Sequence, residues 1–396
     1  MPLPSANDQA GPAPSLGLSI STVEFTATTA SHLLTRLNQF FKHTPPSPSS
    51  PRPASLLGVL ALNSSTCIET GYIVLITTDA ADTDTLRGAA LVLEPPGGGQ
   101  CPVYPWLATH AGGATAAAAM LLPAETVRAF VQQISFLARE LKDAQIKRGM
   151  PDSAPLFSSQ TDDERKEEPL LYHAVSKPVL EAIKPFVETS YLGKDYDLWE
   201  EVSHRVPEEN RSDHHDDDDD DDSSEQHWTD ATDGTAFAFD SLRAEDYESV
   251  ASLATIPLDR AYFMHLVESP VLRDLHCVIR SVSSSSSSVD NSANASCSRD
   301  RLLAPAVSWC LTHVDKSIGM TGTLPAFRRR GLSRKCLRRV TALQNKHVSD
   351  DTNPCFSYIH PSNAASIAVT IGNGYAPVRD TPYIWFSIYP LESTDA

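Results

Sequence analysis

Three features of this 396-residue chain predict an α/β protein with mixed sheets, arranged as two units. Apolar runs of strand length recur, among them Gly71-Y-I-V-L-I-T-T and Gly88-A-A-L-V-L-E. They alternate with stretches of helical period, clearest at Pro123–Ala144, where Val127, Phe130, Val131, Ile134, Leu137 and Leu141 share one face. A strand-like run ending at Pro325 then leads through three arginines and a glycine straight into another helical stretch. The length suits two ordinary domains with linkers.

The elements follow in order. Residues 1–16 are rich in Pro, Ala and Ser and are expected to be disordered. Residues 17–202 read as an N-terminal α/β domain with a Pro-rich insertion at Thr44–Pro53, a strand at Leu170–Val175 and a helix at Lys177–Thr189. Residues 203–234 read as an acidic linker, because like charges repel and little there can be buried; seven consecutive aspartates run from Asp216 to Asp222. A metal site from His214, His215, His227 and the aspartates is the sharper alternative. It is set aside, since a flexible run fixes no ligand geometry, and no metal is expected.

Residues 235–392 read as a second domain. It has a strand at Phe237, short helices at Ala244–Leu253 and Leu258–Glu268, a strand at His276–Val282 and a Ser-rich insertion at 281–298. Ala306–Thr312 and Ser317–Leu324 predict an antiparallel pair. A helix follows at Leu332–His347, a strand at Cys355–His360, and a helix capped by Asn363 that ends at Ile371. Tyr383–Tyr389 alternates, with Ile384, Phe386 and Ile388 on one face, and predicts a last strand.

Charge narrows the function. The net charge is −18, yet from Arg301 onward eleven Lys/Arg outnumber six Asp/Glu. Such a balance argues against broad nucleic-acid binding and for one small polyanion held by a local basic patch. No run approaches the ~20 apolar residues of a membrane span. The N-terminal M-P-L-P-S-A-N-D has neither signal-peptide nor transit-peptide character. The seven cysteines are widely spaced with no C-x-x-C, which fits a reducing, cytoplasmic setting.

The basic patch is Ser317 to Ser333, S-I-G-M-T-G-T-L-P-A-F-R-R-R-G-L-S. A strand, a basic loop with glycine and a helix start form an arrangement that binds phosphates, because first-turn amides have no intrahelical partner and the helix dipole favours an anion. The order Arg328-x-x-Gly331-x-Ser333 resembles the coenzyme A signature of the GNAT superfamily of N-acetyltransferases. Asn363, with Gly374-Tyr375 eleven and twelve residues later, matches a second spacing of that superfamily. Val307 to Leu332 is further similar to the glycine N-acyltransferase branch, whose members carry an N-terminal domain built as a degenerate copy of the same fold.

The resemblance implies a GNAT fold splayed between the strand ending at Leu324 and the strand ending at His360. It implies acetyl-CoA or another acyl-CoA as co-substrate and a small amine or amino acid as acceptor. The acyl-pantetheine arm would bond backbone groups near Thr321, Thr323 and Leu324. The pyrophosphate would sit on amides of Arg329, Arg330, Gly331, Leu332 and Ser333, with Arg328, Arg330, Arg334 or Lys335 screening the phosphates or reaching the ribose phosphate. Asn363 belongs to the same implied cofactor site. Two departures stand out: Ser317 replaces the glutamate proposed as base in the branch, and Thr370 replaces a common tyrosine acid. A serine cannot take a proton near neutral pH unaided, so His313, Asp315, His360 or a water relay must serve, His360 first. The alternative is a CoA-binding or interaction module of this fold without catalysis.

Overall fold

The computed structural model describes residues 18–43, 53–64, 71–78, 86–94, 101–107, 122–148, 170–192, 196–201, 227–254, 258–282, 304–347, 354–378 and 383–390. The first sixteen residues, the aspartate run with His214 and His215, and most of the Ser-rich insertion lie outside these residues.

The first half runs β1 (Leu18–Glu24), α1 (Ala27–His43), α2 (Ala54–Asn63), β2 (Gly71–Thr78), β3 (Leu86–Leu93), β4 (Pro102–Leu107), α3 (Ala124–Lys147), β5 (Leu170–Ser176), α4 (Lys177–Ile183), β6 (Val187–Leu192) and β7 (Asp197–Glu201). The second half runs β8 (His227–Thr229), β9 (Ala236–Asp240), α5 (Tyr247–Leu253), α6 (Arg260–Glu268), β10 (Cys277–Val282), β11 (Ala306–Thr312), β12 (Ile318–Thr323), α7 (Leu332–His347), β13 (Phe356–Ile359), α8 (Ala364–Ile371), β14 (Tyr375–Pro377) and β15 (Tyr383–Pro390). With β8 set aside, the two halves repeat one order: a strand, two helices, three strands, then helix and strand in alternation, and a closing strand.

The closing strands are exchanged. The larger sheet has the order β1-β2-β3-β4-β5-β15-β6, so the last strand of the chain lies between two strands of the first half. Reciprocally, β7 of the first half lies between β13 and β14 of the second, antiparallel to both. The two exchanged strands meet at Tyr196 and Tyr383, whose amides and carbonyls bond in both directions at 2.9 Å. Tyr383, Leu198, Phe356 and Ala54 of α2 form one buried cluster around that crossing. The strand expected at Tyr383–Tyr389 is thus present, and it completes the sheet of the other half.

Helices cover both faces of each half. On the larger sheet, α3 and α4 pack Phe130, Ile134 and Leu180 on one face, while α1 and α2 pack Leu37, Leu57 and Leu60 on the other. In the second half α7 buries Cys336 and Val340 against β10 and β11, and α5 and α6 cover the opposite face with Val250, Phe263 and Leu266. Leu62 of α2 joins this last cluster, so α2 serves both halves.

Several local readings need correction. The helix expected over Lys177–Thr189 stops at Ile183, passes through a 3-10 turn containing Pro185, and becomes β6. Proline removes an amide and opposes helix in the residue before it, and Val187 and Thr189 favour strand. β4, P-V-Y-P-W-L, escaped notice because two prolines argue against a strand. It tolerates them because β4 pairs with β5 only through Pro102 and Val103, so Pro105 lies where no β5 partner needs its amide. Within the stretch read as acidic linker, His227–Thr229 forms β8 against β9.

The halves also touch where α2 crosses the turn between β11 and β12. In that turn His313 N–H donates to Ser317 O at 2.9 Å, and Lys316 N–H donates to His313 O at 2.9 Å with Lys316 at φ 68°. A Cβ on Gly58 would stand 1.8 Å from the Asp315 carbonyl oxygen, so only glycine permits this approach. Gly58→Ala should therefore lower stability by about 1–3 kcal/mol, the usual range for overpacking. Urea unfolding checks this: an unchanged midpoint would mean that α2 does not sit on the turn.

Candidate functional site

β12 has one paired edge and one open edge. It pairs with β11 and ends the five-stranded sheet, whereas β13 begins a separate three-stranded sheet. The two strands are linked near their origin, where Ser357 Oγ donates to Ile318 O at 2.7 Å. Beyond Ile318, which is buried, Gly319 to Thr323 are half-buried or exposed and have no ladder partner on the β13 side among the described residues. The splayed gap implied by the resemblance is therefore present between these strands.

Inside β12 lies a β-bulge. Trp309 faces Gly322 and Leu311 faces Gly319, so Met320 and Thr321 together oppose Cys310. Met320 has φ 47°, left-handed for a residue with a side chain. A bulge takes backbone out of the ladder, and bulges gather beside active sites. The flanking glycines permit the close fit. A Cβ at Gly322 would meet the Trp309 indole at 2.6 Å, and one at Gly319 would meet His313 Nε2 at 2.5 Å. These two glycines around Met320 were the sequence signal for the bulge, and the sequence reading missed it.

After Thr323 the chain turns through Pro325–Phe327 into the arginine loop and α7. Arg329 (φ 66°) and Gly331 (φ 73°) are both left-handed. Nothing lies within 4 Å of a Cβ built on Gly331, which leaves open space before the helix start. The Gly331 carbonyl accepts from Lys335 N–H at 3.1 Å, and the amides of Leu332, Ser333 and Arg334 occupy the first turn, where no intrahelical carbonyl is available.

Besides Gly331, the expected cofactor residues differ in what they have free to offer. Arg329 and Arg334 are exposed and have no hydrogen-bond or ion-pair partner among the described residues. Arg328 Nε donates to Thr323 O at 3.1 Å, while Arg330 Nη1 reaches Asp233 at 2.7 Å and Asp230 at 3.2 Å. The side chains of Thr323 and Ser333 bond each other at 2.7 Å, Thr321 Oγ1 lies 3.3 Å from Cys310 Sγ, and Leu332 is core. Thr321, Thr323, Leu324, Leu332 and Ser333 thus have only backbone to offer a ligand, apart from what an exposed Thr321 hydroxyl can share. Asn363 Oδ1 accepts from Ser366 N–H at 3.2 Å and caps α8 as expected.

Neither expected catalytic residue is free. Ser317 is buried, and its hydroxyl donates to Asp315 Oδ1 at 2.6 Å. The other Asp315 oxygen accepts from Ser55 of α2 at 2.6 Å, so Ser317 belongs to the contact between halves. His360 Nδ1 accepts from Ser362 N–H at 3.2 Å and lies 2.7 Å from Ser362 Oγ. An amide can only donate, so the Nδ1 lone pair is engaged and the neutral ring carries its proton on Nε2. His313, in contrast, lies against Gly319 beside the bulge, with Nδ1 2.8 Å from Tyr262 OH. Burial pushes its pKa down, against a smaller upward pull from Asp315, so the ring is held neutral. Thr370 is buried near the end of α8. Among the described residues no cluster of three or more His, Cys, Asp or Glu could hold a metal, and no helix is long and apolar enough to cross a membrane. Burial raises the Cys310 and Cys336 thiol pKa values, which keeps both protonated.

No family model and no curated protein matches the chain. Solved structures similar to it include a Drosophila protein, 13% identical, with 93% of this chain and 98% of that one aligned at a TM-score of 0.48. A GNAT-family acetyltransferase from Colwellia psychrerythraea is 9% identical over 94% of this chain and 100% of its own, at 0.37. A GCN5-related N-acetyltransferase from Kribbella flavida is 10% identical over 92% and 98%, at 0.33.

His276, behind β11, is structural. Its Nδ1 accepts from Thr312 N–H at 3.1 Å, so its Nε2 donates to Leu266 O at 3.0 Å. Burial, above all, pulls its pKa from 6.5 to about 4. The unfolded chain therefore binds a proton that the folded one refuses, and stability is lost as pH falls from 7 to 4, by about 3 kcal/mol from this group. Unfolding curves of the parent and His276→Gln at pH 7 and 4 isolate it: the parent should lose more. Equal losses would show that His276 protonates freely in the fold.

Proposed function

We propose that the protein is a CoA-dependent N-acyltransferase of the GNAT type, which moves an acyl group from acyl-CoA to a primary amine. The observation that carries this reading is the bulged, open edge of β12 leading into the Arg328–Ser333 loop at the start of α7. An extended thiol ester arm needs exactly this kind of backbone edge to pair with, and a pyrophosphate needs free amides at a helix start. The elements repeat in both halves, but residues 108–121, the connection from β4 to α3, contain no Lys or Arg. A small amine or amino acid as acceptor, in a cytoplasmic setting and in the manner of the glycine N-acyltransferase branch, is the finer form of the proposal.

In the reaction the amine nitrogen attacks the thioester carbonyl carbon in a ternary complex. The backbone taken out of the ladder at the Met320 bulge would donate to the developing oxyanion in this reading. Collapse breaks the carbon–sulfur bond, the thiolate leaves with CoA, and the amine proton passes to a base. We assign His313 as that base in place of Ser317 and His360, since it adjoins the bulge and is held neutral. Tyr262 orients the ring through Nδ1, which leaves Nε2 on the Gly319 side. His313→Gln should lower kcat by about 10²-fold and remove an acid limb lying below the usual histidine range, while His360→Gln leaves that limb in place. pH–rate profiles of both variants decide, and an unaltered His313→Gln profile would exclude it.

Cofactor binding is tested separately. Gly331→Glu introduces a carboxylate beside the expected pyrophosphate and should weaken CoA by about 10- to 100-fold, within the Coulomb cost of like charges ~4 Å apart near a protein surface. Gly331→Asn, neutral and tolerant of left-handed backbone, should bind nearly as the parent does. Calorimetric titration with CoA measures both. Equal affinity of the parent and folded Gly331→Glu would remove the cofactor assignment, whereas CoA binding without turnover on any amine would favour the non-catalytic module.

A further inference from the structure

The turn between β8 and β9 sets two carboxylates beside a loop meant to hold a polyanion, which bare electrostatics disfavours. Its geometry explains why. Asp230 Oδ1 accepts from the Thr232 amide at 2.9 Å and from the Thr232 hydroxyl, and Asp233 Oδ1 accepts from the Thr235 amide at 3.0 Å. Gly234, at φ 70°, closes the turn by donating to Asp230 O at 2.9 Å. Each aspartate thus spends one oxygen on its own turn and aims the other, Oδ2, at Arg330 Nη1, which is also 3.4 Å from Thr235 Oγ1. The guanidinium in turn lies over the Phe327 ring, 5.5 Å from its centroid, and Phe327 packs on buried Phe237 of β9. Arg330 is therefore fastened on two sides while Arg329, next to it, is held left-handed and unpartnered. A non-glycine residue keeps such a backbone only where its surroundings over-determine it.

We propose that Arg330 is a positioning residue rather than a phosphate ligand: Asp230 and Asp233 clamp it so that Arg329 and Gly331 keep the left-handed turn that presents the loop to acyl-CoA. The proposal rests on the CoA reading for its ligand, but the clamp itself does not. The Asp233 carboxyl is pulled down to about 2, first by Thr235 and then by Arg330, so it stays charged at any working pH. The clamp and simple repulsion predict opposite signs. Neutralising two carboxylates near a polyanion site should tighten binding if they only repel; it should weaken binding if they hold the loop.

The experiment uses the full chain as parent, D230N/D233N, the milder Asp233→Asn, and Arg330→Lys. Asparagine keeps an oxygen for the turn's own amide and replaces the oxygen that faces Arg330 with an NH2 donor, which removes both the charge and the acceptor of the clamp. CoA affinity is measured by calorimetry at low salt, and trypsin cleavage within Arg328–Arg330 is followed by mass spectrometry. The expected result is about tenfold weaker CoA binding by D230N/D233N, a typical coupling between linked sites, with a higher KM, near-parental kcat and faster loop cleavage. Asp233→Asn and Arg330→Lys should fall between. Equal or tighter CoA binding by the double variant, or unchanged loop cleavage, overturns the proposal. If D230N/D233N does not fold, the same two outcomes for Asp233→Asn decide. A parent that binds no CoA, with cleavage still faster in the variants, supports the clamp and sinks the cofactor reading instead.

Discussion

Backbone amides and carbonyls withdrawn from water must find partners, and this chain meets that demand across its two halves rather than within each. β13 and β14 have no strand between them until β7 arrives from the first half, and β5 and β6 are in the same position with respect to β15. The two insertions cross at Tyr196 and Tyr383 and bury Tyr383, Leu198 and Phe356 together. The seven-stranded and three-stranded sheets are each completed by a strand of the other half, and β13, one side of the gap, belongs to the latter. Among the described residues, the β13-facing edge of β12 stays unpaired and combines a bulge with a basic loop at its end.

Electrostatics follows the same logic of local exception. The chain as a whole is strongly acidic, yet Arg329 and Arg334 stand unpaired at the start of α7. Other cations nearby are spent on structure: Arg330 on two aspartates, Lys335 over the Trp228 ring at 5.3 Å, and Arg339 over Phe239 at 5.7 Å. An acidic molecule with a small residue of free positive charge attracts a compact polyanion and repels a long one.

Much of the second half was legible because local signals agreed there. The helix Leu332–His347 was read to the residue, since Leu332, Cys336 and Val340 mark its buried face and Gly331 its start. The Asn363 cap was equally plain. What escaped depends on contacts far apart in sequence. Nothing in D-L-W-E-E announces that β7 will lie beside Phe356, and no local pattern tells that β15 belongs with β5. Ser317 was singled out only because the resemblance aligns it with a base; Asp315, two residues earlier, takes its hydroxyl, and what sequence alone does not tell is that Ser55, 260 positions away, holds the other oxygen of that carboxylate. Arg330 looked like a phosphate ligand for the same reason, its partners lying about a hundred residues earlier.

The exchange of closing strands also sets the order in which the molecule can be made. Synthesis runs from the N-terminus, and the first half has all its own strands once Glu201 is added. Its sheet nevertheless waits for β15, which ends at Pro390. At ~5–20 residues per second the ribosome takes roughly 10–40 seconds to cover that distance. For this interval β5 and β6 present edges to the cell with no strand to fill them, and unpaired edges of this kind are what molecular chaperones shield. Slow elongation between the halves would then lengthen this exposure instead of helping the first half to finish.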